Sequence, residues 1–342
     1  MAQVGQATTI REIAALAGVS GGTVSRVMND KPGVGPETRA RVLALINEHD
    51  FHGDATARQL SRGRSDSLGI VFPLQVSEVV MHPVYPELLG SLSDATQAAG
   101  LDVILFTTSA SRGIEHVLDS VKRKRVDGLI LPAASSDDPL VARVREAGVP
   151  TVLVGHRERD ENLTWVDCTH DDAVFELTSR LLRAGRQSLV LLNGPTRISA
   201  YGLRSEGFWR AVNEFGADGV AASERTVDIG FTEGVRAAGE LMGDVPRPDA
   251  IVCSSDSTAV GVLDALARMG VAVPDEVAVT GFDDIDFARN SSPSLTTVRM
   301  PLHETGAAAV SELLRMIEHG APAPEPEVLA TEVVIRESAG SI

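Results

Sequence analysis

The sequence predicts an α/β protein in two parts: an N-terminal helix-turn-helix headpiece and a two-lobed core of doubly wound parallel sheets. Three observations carry the prediction. Residues 9–46 hold three short helical patterns, the first two joined only by Gly18-Val19-Ser20. Beyond residue 66, short apolar runs alternate with helical stretches, which is the pattern of βαβ units. Aromatic residues make up 4% of the chain against 43% hydrophobic residues, so the core rests on Val, Leu, Ile and Ala, which suits helices packed on parallel strands. At 342 residues the chain is long enough for about two or three compact units.

In chain order, Thr9-Ile10-Arg11-Glu12 is a capping box: a hydroxyl meets an orphan backbone N–H, and a carboxylate returns from three residues on. The helix it opens carries Ile13, Leu16 and Ala17 as its apolar positions, and Gly18 ends it. Ser20 caps a second helix, with Val24, Val27 and Met28 on one apolar face and Asn29 near its end. Gly35-Pro36 starts a third, with proline first and Val42, Leu45 and Ile46 inward. A second helix so placed would turn Gly21, Gly22, Thr23, Ser25 and Arg26 towards a DNA groove. Helical spacing alone is equally met by a plain three-helix bundle. Asp54 N-caps a further short helix, and Ser61 to Ser65 reads as an Arg/Gly/Ser linker. The divisions are therefore 1–52, a hinge and linker over 53–66, and a core over 67–342.

In the core, strands are predicted at 68–72, 103–106, 128–131, 151–154, 189–192, 250–252 and 277–280. Helices fall between them, among others at 85–99, 171–184, 203–215, 232–243, 258–269 and 304–318. These are too many units for one compact sheet, so two lobes are expected. A ligand then sits at the strand C-terminal ends, in the cleft between them.

The net charge of −16 argues at first against a nucleic-acid partner. Its distribution argues otherwise. Residues 1–65 hold eight Lys/Arg and six acids, leaving +2 there and −18 on the rest. A mildly basic module on an acidic body would meet DNA by the module, because phosphates repel the remainder. Cys168 and Cys253 form no CxxC pattern, which excludes a structural zinc site on ligand count, and no disulfide framework is expected. No metal or cofactor is predicted. The first residues lack a signal-peptide pattern and no run approaches a membrane span, so a cytoplasmic location is expected.

The motifs Ile13-Ala-Ala-Leu-Ala-Gly-Val-Ser20, Thr23-Val-Ser-Arg-Val-Met-Asn29 and Thr38-Arg-Ala-Arg-Val-Leu43 closely resemble the headpiece of the lactose/galactose-repressor family. Gly281-Phe-Asp-Asp284, Ser294-Leu-Thr-Thr-Val298 and Val126-Asp-Gly-Leu-Ile-Leu131 resemble its periplasmic-binding-protein-like core. The resemblance implies a transcription regulator, as a repressor, that binds near-palindromic operator DNA as a homodimer and answers to a small effector of carbohydrate type. By position, Arg26 would contact a base edge, while Ser20, Thr23, Ser25, Asn29 and Thr38 would mostly hold phosphates. Leu60, with Ala57 beside it, would be the hinge residue that wedges into the minor groove. The first two recognition-helix positions depart from the family, being Gly21 and Gly22. Arg204 and Asp283 would hold the effector's polar groups, with Tyr85 and Phe231 as aromatic walls and Ser255 and Asp256 at a helix start beside the cleft. Arg204 could instead be a structural bridge to Glu206 or Asp283. Gly155 stands where sugar-binding members often have an acid, which leaves a nucleoside or purine-type effector open. The resemblance also implies lobes over about 67–167 with 298–326 and about 168–297 with 327–342, with crossings near Asp167, Thr297 and Glu327.

Two other classes fit the sequence less well. Gly18-Val-Ser20-Gly-Gly22 matches GxSxG but lies between helices, so it is no nucleophile elbow. Gly33-Val-Gly35 has no preceding strand and no later matching glycine, so it is no dinucleotide loop. An enzyme is therefore not predicted. A solute-binding protein for transport fits the core alone but leaves the headpiece without a purpose.

Overall fold

The computed structural model describes residues 9–28, 30–49, 51, 64–72, 75, 79, 83–107, 111–132, 138–157, 163–320 and 326–342. The chain divides into two compact units, Met1–Ser65 and Asp66–Ile342.

In the first unit, α1 (Ile10–Ala17), α2 (Gly21–Met28) and α3 (Pro36–Glu48) close over Ile13, Ala17, Val24, Val27 and Val42. The capping box forms as predicted: Glu12 N–H donates to Thr9 Oγ1 at 3.3 Å, and Thr9 N–H donates to Glu12 Oε2 at 3.0 Å. Gly18 terminates α1 with φ 64°, a left-handed conformation that costs glycine nothing. Ser20 Oγ accepts the Thr23 N–H at 3.1 Å and caps α2. Leu16 departs from expectation. It is 55% exposed, and Ala14 takes the inward place beside Ile13 and Ala17.

The second unit holds two parallel sheets. The first is ordered β11-β5-β4-β3-β1-β2, with β1 (Ser67–Phe72), β2 (Asp102–Thr107), β3 (Gly128–Pro132), β4 (Thr151–Val154), β5 (Thr164–Cys168) and β11 (Glu327–Leu329). Helix α4 (Tyr85–Ala98) packs on it beside α12 (Leu302–His319). The second is ordered β7-β6-β8-β9, with β6 (Ser188–Asn193), β7 (Ala221–Thr226), β8 (Ala250–Cys253) and β9 (Ala278–Thr280). Its helices are α7 (His170–Arg183), α8 (Ser199–Phe215), α9 (Phe231–Leu241) and α10 (Asp256–Arg268). The last two meet through glycines: a Cβ on Gly261 would lie 2.1 Å from Phe231 O, and one on Gly234 would lie 2.1 Å from Thr258 O.

An antiparallel ribbon of β10 (Thr297–Arg299) and β12 (Glu332–Val334) completes the unit. Strand β11 corrects the predicted lobe boundary. Glu327, Val328 and Leu329 pair with Val166, Asp167 and Cys168, so 327–329 belong to the first sheet and the third crossing follows Leu329. A strand of three residues with a glutamate at its start presents no apolar run to read.

Candidate functional site

The strand C-termini of both lobes open onto one cavity of about 800 Å³, counted out to its mouth. The first lobe contributes Val84, Tyr85, Leu88, Val154 and Gly155, and α12 contributes Leu302 and Thr305. The second contributes Ile198, Tyr201, Arg204, Ser255 and Asp283, while Asp167, Cys168 and His170 lie at the crossing between lobes.

Arg204 occupies the centre. Helix α8 places it one turn beyond Tyr201, and it is only 5% exposed. Its Nη1 donates to the Ser254 carbonyl that follows β8. Its Nε donates to His170 Nδ1 at 3.3 Å, and Nη2 reaches the same nitrogen at 3.3 Å. Asp283 Oδ1 lies 3.9 Å from Nη2. The guanidinium lies 3.7 Å from the centroid of the Phe282 ring, a cation–π contact. A methyl on Gly194 would sit 2.5 Å from the Tyr201 ring, so this glycine makes room for the aromatic wall.

His170 is the first residue of α7 and is fully buried. Burial holds its basicity down, against the pull of Asp167, so the ring is neutral. Its tautomer follows from its partners. Nδ1 accepts from Arg204, so the proton sits on Nε2 and is donated to Asp167 Oδ1 at 3.0 Å. Burial pushes Asp167 towards the neutral form, but the hydrogen-bonded His170 and nearby Arg157 hold it below the usual carboxylate range. Arg157 Nε lies 3.6 Å from Asp167 Oδ2, and its Nη2 donates to Cys168 O at 2.9 Å.

Asp167, Cys168 and His170 together bring a carboxylate, a thiol and an imidazole within 4.8 Å of one another. They do not form a metal centre or a catalytic triad. The nitrogen a cation would need, Nε2, carries the proton that Arg204 on Nδ1 forces there. Cys168 Sγ is 3.5 Å from Nε2, which carries the proton given to Asp167, and 3.9 Å from Nδ1, whose lone pair is taken by Arg204, so neither nitrogen is free to act as the thiol's base. Burial also pushes the Cys168 thiol well above its ordinary range, so no thiolate nucleophile is present.

Asp283 and Asp284 follow β9 with φ of 120° and 59°, and both are strained for non-glycine residues. Burial pushes Asp283 up to about 7, although Arg204 opposes it. Asp284 is turned away and held below the usual range by Arg336 and Arg299, against its own burial. Adjacent carboxyls are thus driven in opposite directions, one to the cleft and one to the β10–β12 ribbon.

Of the predicted cleft residues, the structure brings Tyr85, Arg204, Ser255 and Asp283 to the cavity wall. Asp256 is not among them. Its carboxylate accepts from Thr297 Oγ1 at 2.5 Å and from the Ile285 N–H at 3.0 Å, tying the β9 loop to β10. Phe231 is also outside the lining. It is 46% exposed at the start of α9, where its carbonyl packs against Gly261. Gly155, with φ 72°, carries no acid to the wall, and Asp167 on the adjoining strand supplies one instead. Asp167, His170 and Tyr201 were missed. Tyr201 had a signal, since it lies three residues before Arg204 on one helix face.

On the headpiece, Arg26 is exposed on α2, Gly22 is exposed, and Gly21, Thr23, Ser25 and Thr38 are partly exposed. Ser20 and Thr23 share a side-chain hydrogen bond of 2.9 Å. Asn29, Ala57 and Leu60 lie outside the described residues. Among the described residues, no helix is long and apolar enough to cross a membrane.

Residues 9–54 match the family described as bacterial regulatory proteins, lacI family, and residues 178–339 match the periplasmic binding protein-like domain. The HTH-type transcriptional regulator CelR of Thermobifida fusca is 32% identical over 96% of this chain and 98% of its own length. A solved complex of CelR with cellobiose is similar at TM-score 0.74 and 29% identity, covering 97% of this chain and all of that one. The lac repressor dimer bound to operator and the anti-inducer ONPF shares the fold, with TM-score 0.85 at 23% identity, covering 97% and 99%.

Proposed function

The chain belongs to the lacI family of bacterial regulatory proteins, DNA-binding transcription regulators rather than enzymes, and on that premise we propose that it is a repressor controlled by a carbohydrate bound between its core lobes. The observation that carries the effector reading is the opposition of Arg204 and Asp283 to Tyr85 across one cavity. Hydroxyl groups can both donate to a carboxyl and accept from a guanidinium, and sugar faces pack against aromatic rings. The CelR complex with cellobiose supports the class of ligand, and the operator-bound lac repressor dimer supports a homodimer on a near-palindromic site.

On the DNA side, α2 enters a major groove with Arg26 at a base edge. On the core side, the two lobes already touch beside the cleft, where the Arg157 N–H donates to Ser199 Oγ at 3.0 Å. A ligand gripping both lobes favours that closed arrangement, and differential affinity for two lobe arrangements shifts their populations.

Selection of DNA from a random pool by the full chain, followed by gel shift, tests the reading. The expected result is a near-palindromic site bound by the full chain and not by residues 66–342, with binding altered by a sugar. A full chain that selects no sequence, or a selected site indifferent to sugars and altered by nucleosides, contradicts it.

A further inference from the structure

We infer, resting on the carbohydrate reading above, that the cleft selects uncharged polyhydroxylated ligands and rejects their carboxylate and phosphate derivatives. Among the described residues, the ionisable lining consists of one guanidinium, Arg204, two carboxyls, Asp167 and Asp283, the imidazole of His170, and Tyr85, Tyr201 and Cys168, which burial keeps neutral. His170 is neutral, so it brings no positive charge to an anion.

Arg204 is already committed. Side-on recognition of a carboxylate or phosphate needs two parallel N–H groups along one edge of the guanidinium. The Nε/Nη2 edge is closed by His170 Nδ1, with both nitrogens at 3.3 Å. On the other edge, Nη1 serves the Ser254 carbonyl and Nη2 faces Asp283. One face of the plane is covered by Phe282. The donors left over can meet single hydroxyl oxygens but present no free fork.

The carboxyls have capacity to spare. Asp167 Oδ2 is buried and makes no hydrogen bond, its nearest charge being Arg157 Nε at 3.6 Å. Asp283 faces the cavity with only the 3.9 Å approach of Arg204 as an ion pair. Both suit hydroxyl donors. Asp167, held ionised by His170 and Arg157, opposes an anion at neutral pH, and Asp283, raised to about 7, opposes it as pH rises above that value. Arg157 stands behind Asp167 and also pairs with Asp171 at 3.1 Å, while Arg197 is exposed and outside the lining, so neither offers a cation to the cavity. An anionic ligand would leave water for a wall whose described residues supply acceptors and no uncommitted cation.

Calorimetric titration of the full-length protein at pH 8, where Asp283 is ionised, tests this with matched pairs: cellobiose and cellobionate, glucose and glucuronate, ribose and ribose 5-phosphate. Each neutral member that binds is expected to bind at least about tenfold more tightly than its acidic partner. Asp283→Asn, a near-isosteric change, should narrow that ratio by relaxing the penalty on the acid, and Asp167→Asn is the second variant should the first fold poorly. An acid that binds as tightly as its neutral partner, or a ratio unmoved by both variants, overturns the inference and leaves the carbohydrate reading intact. Binding by none of the six compounds, with a nucleoside bound instead, overturns the carbohydrate reading and the inference with it.

Discussion

Replacing Arg204 by alanine removes more than a ligand contact. The guanidinium is buried between the Ser254 carbonyl, His170 Nδ1 and Asp283, so its loss leaves a buried carboxyl without its cation and two acceptors without a donor. Asp283, raised to about 7 even beside Arg204, takes up a proton at neutral pH once the guanidinium is gone, so the cost lies in the unmade buried hydrogen bonds, about 1–3 kcal/mol for each acceptor left without a donor. For a core of this size that corresponds to a fall in Tm of roughly 10 °C. Asp283→Asn removes the need for that proton, so above about pH 8 Arg204→Ala/Asp283→Asn should be more stable than Arg204→Ala alone. Urea denaturation of the four proteins of this cycle in that pH range measures the coupling, expected at about 1–3 kcal/mol. Sugar affinity should also fall by about tenfold or more in folded Arg204→Ala, the loss of one charge-assisted hydrogen bond. Additive effects, with the double variant no more stable than the single, would refute the account of Arg204 as the keystone between β8, α7 and the β9 loop. Arg204 is thus both of the alternatives open at the sequence level, a cavity-lining residue and a bridge to Asp283.

Asp283→Asn should also flatten the pH dependence of core stability. Its folded pKa of about 7 lies above the unfolded value of about 3.9, so its contribution is full below pH 4 and is lost as pH rises through 7. Denaturant midpoints at intervals from pH 4 to pH 8 should fall less steeply in the variant, and parallel curves would count against it. Gly22→Ala should stabilise the headpiece by about 0.5–1 kcal/mol, because the only atom near a new Cβ is Ser20 Oγ at 3.6 Å. If the bare helix start lets DNA approach the backbone, the same variant should bind operator more weakly, and gel shift with a stabilised but fully competent variant would dismiss that role. Gly261→Ala should lower Tm and expression sharply, since its methyl would meet Phe231 O at 2.1 Å, and a Tm equal to that of the native protein would contradict the α9–α10 packing.

Where the fold was legible, the local chemistry was unambiguous. The Thr9/Glu12 box, the left-handed Gly18 and Pro36 at a helix start have few other uses, and each sits where the sequence put it. Strands such as β1, β3 and β8 are wholly buried, so they read as apolar runs. Strand β7 did not, because Ala221–Thr226 is a half-exposed edge strand carrying Ser, Glu and Arg. Strand β5 holds Asp167 among buried neighbours, and the acid that broke its apolar pattern is the one that faces the cavity. In the site, Arg204, Asp283, Tyr85 and Ser255 came from matching motifs by position. That transfer could not see that Asp256 spends its carboxylate on Thr297 and Ile285, nor that Phe231 turns outward, because both depend on side-chain geometry that the motifs do not encode. Tertiary proximity likewise hid His170, which meets Arg204 across 34 residues of sequence.

The central claim is that occupancy of the cleft sets affinity for DNA. It is tested most directly by titrating labelled operator with the full chain, by fluorescence anisotropy, with and without a saturating sugar that binds the core. The expected result is a change in operator Kd of about 5- to 150-fold, and a change of the same factor in sugar affinity when operator is bound, because coupling between two sites is reciprocal. Identical operator Kd values with the cleft empty and with it filled would contradict it.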